Sequence, residues 1–225
     1  LEYIPGISSI YSDVGFLLLG HLIETVRGEQ GLDRFAQRFI TSPLGMKSSG
    51  YIDLSKIKTM SLELLTDHTA PTLQCPWRKK ILCGEVHDDN AWSLGGVAPH
   101  AGLFGSAEDV HLFAAEMISC FKGESSFVDR DVVREFWTIN DRVPDGTWAL
   151  GWDTPSPEGS SAGKYFSKNA VGHLGYTGCS LWIEPEKEIS VTLLTNRLHI
   201  EDSKEKVKEF RPLIHDLVME TLGED

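Results

Sequence analysis

The stretch from Gly172 to Asn196 constrains this chain more than any other. Leu181 to Ile183 and Ile189 to Leu194 are rich in β-branched and large apolar residues. Glu184-Pro185-Glu186-Lys187 between them carries a proline whose fixed φ suits a turn. In the second run Ile189, Val191 and Leu193 alternate with Ser190 and Thr192, so one face can be buried. A β-hairpin is predicted here, and its apolar face needs a cover. Just ahead of it Gly172, Gly175 and Gly178 bracket His173 and Tyr176. That spacing predicts a bare backbone which a substrate can approach closely, with two polar side chains beside it.

A chain of 225 residues, 41% of them hydrophobic, can bury a sizeable core as one domain. The net charge of -12, with no basic run longer than Arg78-Lys79-Lys80, opposes an electrostatic grip on phosphate backbones. Nucleic acid is therefore excluded as a partner. The longest apolar run, Val14 to Gly20, falls far short of the roughly 20 residues that a membrane span requires. Cys75, Cys83, Cys120 and Cys179 form no Cys-x-x-Cys pair, so neither a zinc site nor a disulfide framework is signalled, and reduced thiols are expected. Gly84-Glu85-Val86-His87-Asp88-Asp89-Asn90 offers imidazole and carboxylates, but its spacing fits no zinc motif and a hydrogen-bonded loop is expected. These features together lead us to expect no metal, no cofactor and a soluble protein, with the cytoplasm favoured over the periplasm or secretion. The chain opens at Leu1 without a signal-peptide pattern, and a preceding segment is expected in the native protein.

Tyr11-Ser12-Asp13 stands before an apolar helix carrying Val14, Phe16, Leu17, Leu18, Leu19, Leu22, Ile23 and Val26, with Gly28 as its stop. Ser12 or Asp13 suits an N-cap, and capping beside a packed tyrosine would by itself account for the tripeptide. A second helix is predicted from about Leu32 to Ile40, ended by Pro43. From Pro43 to His100 glycines and prolines punctuate short segments, as in a loop that walls a site. Ser106 with Asp109 three residues on is a capping-box-like start for a helix bearing Val110, Phe113, Ala114, Met117, Ile118 and Phe121. A short helix follows from Arg130 to Thr138, then a strand at Trp148-Ala149-Leu150-Gly151-Trp152 and a loop from Thr154 to Gly163. The last helix, Ser203 to Leu222, must kink or restart at Pro212.

Several of these segments carry a resemblance. Tyr11-Ser12-Asp13 and His173-Leu174-Gly175, in that order, resemble the second and third motifs of the serine β-lactamase and penicillin-binding-protein superfamily. Tyr-Ser-Asp-x-Gly-Phe-x-Leu-Leu-Gly, Val-His-Asp-Asp-Asn-Ala, Gly-Gly-Val-Ala-x-His-Ala-Gly-Leu-Phe and Leu-Gly-Trp-Asp-Thr-Pro are similar to its class C branch, which includes esterases and peptidases. The similarity spans nearly the whole chain. It implies an α+β fold, a helical lobe packed on an antiparallel β-sheet and incomplete at the N-terminus. Residues 1–225 would then form one partial domain, with 1–140 mostly helix and loop, 141–200 the sheet strands and 201–225 a C-terminal helix.

The shared mechanism of this superfamily needs a nucleophilic serine, a lysine that helps deprotonate it, a tyrosine that relays the proton, and two backbone N–H groups for the oxyanion. The resemblance implies that Tyr11 is the relay. Asp13 stands where the family usually has asparagine; a carboxylate there pairs with a lysine ammonium and weakens it as a base. His173 takes the place of the third-motif lysine and gives less fixed positive charge for a substrate carboxylate. Gly175 and Tyr176 would line the oxyanion site, with the Tyr176 N–H as donor; an ordinary edge-strand tyrosine is the alternative.

No nucleophile is identified within the chain. Ser55/Lys58, Ser119/Lys122, Ser161/Lys164 and Ser203/Lys206 match Ser-x-x-Lys, but none precedes the tyrosine motif as in the family. The reading is the C-terminal part of a serine hydrolase acting on an amide, ester or β-lactam in a small molecule or peptide, completed by an N-terminal segment of the same protein. The alternative is a binding or scaffold protein that keeps the fold without the chemistry. The strand Ile189 to Leu194 lacks proline, lysine and glycine, devices that protect an edge, so it is expected to be unpaired on its outer side in this chain and open to self-association.

Overall fold

The computed structural model describes residues 2–28, 31–56, 67–139, 143, 146–199 and 204–223. They form two compact units, one of Leu1–Ile10, Val110–Thr195 and Ser203–Asp225, the other of Tyr11–Asp109 and Asn196–Asp202. Each is α+β.

In the second unit helix α1 (Asp13–Arg27) starts directly after the Tyr-Ser-Asp tripeptide and stops at Gly28, which takes a left-handed φ of 63°. Ser12 occupies the N-cap position with extended backbone, yet its hydroxyl makes no capping bond. The capping explanation of the tripeptide thus loses its main support. Gly20 has a packing reason to be in mid-helix: a Cβ there would come within 2.7 Å of Pro99 Cγ, so α1 lies directly on the loop from Gly95 to Gly102. On its other side Val14, Leu18, Leu22 and Val26, one per turn, are exposed. Helix α2 (Leu32–Ala36) continues as a wider π turn, Gln37–Thr41. Two short antiparallel pairs follow, β1 (Gly50–Tyr51) with β4 (Leu103–Phe104), and β2 (Gln74–Cys75) with β3 (Lys80–Ile81).

The Gly84 to Asn90 segment is held by hydrogen bonds. Asp88 caps the short helix α3 (Asp89–Ser93) by accepting the Ala91 N–H at 2.7 Å, and it also accepts His100 Nε2 at 3.1 Å. Arg78 donates to the Val86 and His87 carbonyls and to Asp89, and its guanidinium lies over the rings of Trp77 and Trp92. Among the described residues no three His, Cys, Asp or Glu side chains are grouped to hold a metal.

The first unit is built on the predicted hairpin. Strands β5 (Val171–Leu174), β6 (Ser180–Glu184) and β7 (Ile189–Leu193) form an antiparallel sheet in the order β5-β6-β7. The period of two then sorts the side chains. Val171, Leu181 and Ile183 pack against Ala114, Met117, Ile118 and Cys120 of helix α4 (Ala107–Lys122) and Val133 and Trp137 around α5 (Arg130–Phe136). Trp182 and Val191 face the other way, onto Phe166 and onto Met219 of helix α6 (Lys204–Leu222). Helices therefore cover both faces of the sheet in this unit.

Four local expectations change. Trp148 to Trp152 is not a strand, because the chain reverses at Gly151 (φ 80°) and the Ala149 N–H bonds the Trp152 carbonyl at 2.8 Å. What remains of sheet pairing there is two isolated bridges, Trp148 to Asp153 and Asp153 to Gly172. The capping box at Ser106 is half realised: its hydroxyl accepts the Asp109 N–H, but the Asp109 carboxylate accepts the Ser48 N–H instead of reaching back. Helix α6 runs through Pro212 as one element and does not restart there. Glu184 is the buried end of β6 and no turn residue, with Ser167 donating to it from both its N–H and its hydroxyl. The predicted helix start at Ser203 lies outside the described residues. No helix among the described residues is long and apolar enough to cross a membrane, and the four cysteines are free thiols.

Behind β6 sits a buried histidine. His215 donates from Nδ1 to the Ser161 carbonyl at 2.8 Å, so its Nε2 accepts the Ser180 hydroxyl at 3.0 Å. Burial, with Arg211 nearby, holds its pKa below the ordinary histidine value. The unfolded chain therefore binds a proton more readily at this site. The resulting stability is complete above about pH 6.5 and is lost as pH falls toward the depressed folded value. We expect the thermal midpoint, followed by circular dichroism, to fall less steeply between pH 7 and pH 5 in His215→Gln than in the wild type. Parallel curves would show that His215 is not the titrating group.

Candidate active site

His173 lies on β5, paired with Leu181 of β6, and its side chain is half-buried. Its Nδ1 lies 2.9 Å from the Leu174 carbonyl, which can only accept, so Nδ1 carries a proton. The ring leans on Trp148, centroids 5.8 Å apart. Asp153, bridged through its backbone to Gly172, faces His173 electrostatically. Burial raises the Asp153 carboxyl above its ordinary value, against the bonds from Thr147 and Thr154 and the attraction of His173.

After Leu174 the chain turns through Gly175, Tyr176, Thr177 and Gly178 into β6. The turn closes with the Gly178 N–H on the Gly175 carbonyl at 3.0 Å and the Gly175 N–H on the Cys179 carbonyl at 2.8 Å. Gly178 sits at φ 117°, which a side chain would strain. Tyr176 is at the tip, 65% exposed. From α6 the buried Arg211 reaches into the same turn and donates to the carbonyls of Gly175, Gly178 and Cys179.

Tyr11 and Asp13 belong to the other unit, at the head of α1. Tyr11 is 63% exposed. Partial desolvation, and then the Asp13 carboxylate, hold its phenol above the ordinary value, so it is protonated at neutral pH.

Sequence reasoning missed Arg211, Trp148 and Asp153. Asp153 lies in the Leu-Gly-Trp-Asp-Thr-Pro segment, legible as a family-like run without a role, and Trp148 in the predicted strand just before it. Arg211 gave no signal, because one arginine in a charged helix looks solvated until the fold buries it. In two of the four in-chain Ser-x-x-Lys matches the lysine pairs with glutamate. Ser119 donates to the Ala115 carbonyl while Lys122 pairs with Glu124 and Glu188, and Lys164 pairs with Glu220 rather than Ser161. Ser55 donates to Asp53, while Lys58 and Ser203 lie outside the described residues.

The beta-lactamase family model matches residues 1–214. The chain is 33% identical over 211 residues to a putative D-alanyl-D-alanine carboxypeptidase of Escherichia coli, covering 88% of this chain and 47% of that protein. It is also 33% identical to an N-acetylmuramyl-L-alanine amidase of Bacillus subtilis, covering 88% and 46%. Its fold matches a beta-lactamase from Mycobacterium bovis (TM-score 0.66, 18% identity, 97% of this chain and 66% of that one). Simvastatin synthase from Aspergillus terreus gives a TM-score of 0.67 at 14% identity, over 98% and 57%. The chain spans about half the length of the curated relatives it matches. With one family model running through both units and the same fold in solved structures, the chain belongs to the beta-lactamase family.

Proposed function

We propose that this chain supplies the proton-relay and oxyanion side of a serine hydrolase site, and that the nucleophile comes from a Ser-x-x-Lys segment outside residues 1–225. Tyr11 relays the proton, Asp13 pairs with the lysine of that segment, and His173 presents Nε2 as an acceptor at the place of the superfamily's third-motif lysine. Gly175 and Tyr176 form the edge on which the acyl oxygen sits. The observation that carries the reading is the β5–β6 turn: a glycine-flanked backbone, held from behind, next to an imidazole whose tautomer is fixed by Leu174.

The Tyr11 phenol sets a physical requirement on the missing part. A protonated tyrosine beside a carboxylate cannot take a serine proton, and a lysine ammonium within hydrogen-bond reach would reverse that bias by favouring the phenolate. The chain alone should be inert. The similarity to a putative carboxypeptidase and to an amidase favours an amide bond in a peptide-containing substrate. A cleaved ester or β-lactam would follow the same acyl-serine route.

One open sheet edge and two apolar helix stripes agree with a further covering segment. The outer side of β7 has no strand partner among the described residues. Phe210, Leu213 and Leu217, on one stripe of α6, are exposed, as is the stripe on α1. We propose that the N-terminal segment covers them, and that the isolated chain self-associates through β7 instead.

In the intact protein, Tyr11→Phe should slow acylation by a chromogenic penicillin or ester by roughly 10² to 10⁴, the loss expected for a proton-transfer group. An unchanged rate removes Tyr11 from the mechanism. Turnover by the purified 225-residue chain, abolished by Ser119→Ala, would place the nucleophile inside it. Sedimentation of that chain should give species heavier than its 25.0 kDa monomer, and a stable monomer contradicts the proposed edge.

A further inference from the structure

Arg211 grips the turn between β5 and β6 through its guanidinium. It is only 7% exposed, and it spends Nε on the Gly178 carbonyl at 3.1 Å and Nη2 on those of Gly175 and Cys179 at 2.7 and 2.8 Å. Three carbonyls from five consecutive residues thus converge on one cation. A buried charge placed this way is stabilised by carbonyl dipoles, and in return it fixes the peptide planes that carry them.

Peptide geometry gives that grip a direction. The bond between Gly175 and Tyr176 is trans, as are all bonds among the described residues. In a trans peptide the C=O of one residue and the N–H of the next point opposite ways across a rigid plane. Anchoring the Gly175 oxygen on Arg211 therefore aims the Tyr176 N–H away from α6, on the far side of the turn. The positive charge also polarises the peptide group, which strengthens that N–H as a donor. We propose that Arg211 is a positioning residue for the reaction: it orients and polarises the Tyr176 N–H toward the acyl oxygen, and it ties the C-terminal helix to the oxyanion edge. The inference rests on the hydrolase reading for its catalytic consequence, but not for the orientation itself.

The test compares the intact wild-type protein with Arg211→Met and Arg211→Lys. With a chromogenic penicillin and p-nitrophenyl acetate as probes, Arg211→Met should lose about 10- to 100-fold in kcat with KM within about twofold, and Arg211→Lys should recover part of the loss. A wild-type kcat in Arg211→Met overturns the proposal, and so does a loss that follows only the unfolded fraction with no rescue by lysine. The second readout is amide hydrogen exchange at single-residue resolution. Exchange at Gly175 and Gly178, whose N–H groups close the turn onto the Cys179 and Gly175 carbonyls, should rise about tenfold or more in Arg211→Met, while amides of Val171 to His173 and Leu181 to Ile183 hold. Unchanged Gly175 and Gly178 amides refute the orienting role. If the wild type fails to acylate at all, the hydrolase reading falls, and the exchange measurement still decides what Arg211 does.

Discussion

The pairing of β5 with β6 is the interaction on which the rest of the structure depends. Its register sets Gly172 opposite Trp182, His173 opposite Leu181 and Leu174 opposite Ser180. A slip of one residue would turn Trp182 from the α6 side to the α4 side and bring His173 onto the wrong face. The register is over-determined. Trp182 and Ile183 are fully buried on opposite faces, the Ser180 hydroxyl is taken by His215, and Arg211 closes the turn at the open end. The same contacts that fix the core thus fix the backbone at the candidate oxyanion edge.

Much of this was legible in the sequence because it rests on local rules. Alternation in Ile189 to Leu193 gave β7, the apolar run closed by Gly28 gave α1, and the amphipathic stripe from Val110 to Phe121 gave α4. The tripeptides around Tyr11 and His173 were legible as a combination of family-like segments. What escaped depends on partners far along the chain. Trp148 to Trp152 has the composition of a strand, but one glycine with positive φ reverses it and leaves Asp153 as the bridge to the sheet. Arg211 and His215 belong to a helix whose pattern shows which face is apolar, and no pattern states which polar side chain that face buries.

Two residues of the proposed site bear on its mechanism. A carboxylate at Asp13 raises the proton affinity of its surroundings, as the Tyr11 phenol already registers. At His173 the Leu174 carbonyl fixes which ring nitrogen carries the proton. In the proposed site both groups would serve to handle a proton rather than to bind an anion. The two curated relatives described above carry different names, a putative carboxypeptidase and an amidase, so function follows the site and not the fold.

The central claim is that residues 1–225 hold the relay and oxyanion side of a site whose nucleophile lies elsewhere in the protein. The most direct measurement is to label the intact protein with a penicillin or fluorophosphonate probe, digest it, and identify the modified peptide by mass spectrometry. The account predicts a single acylated serine in a Ser-x-x-Lys sequence outside residues 1–225. A label on any serine within them, or an intact protein that both probes leave unmodified, would contradict it.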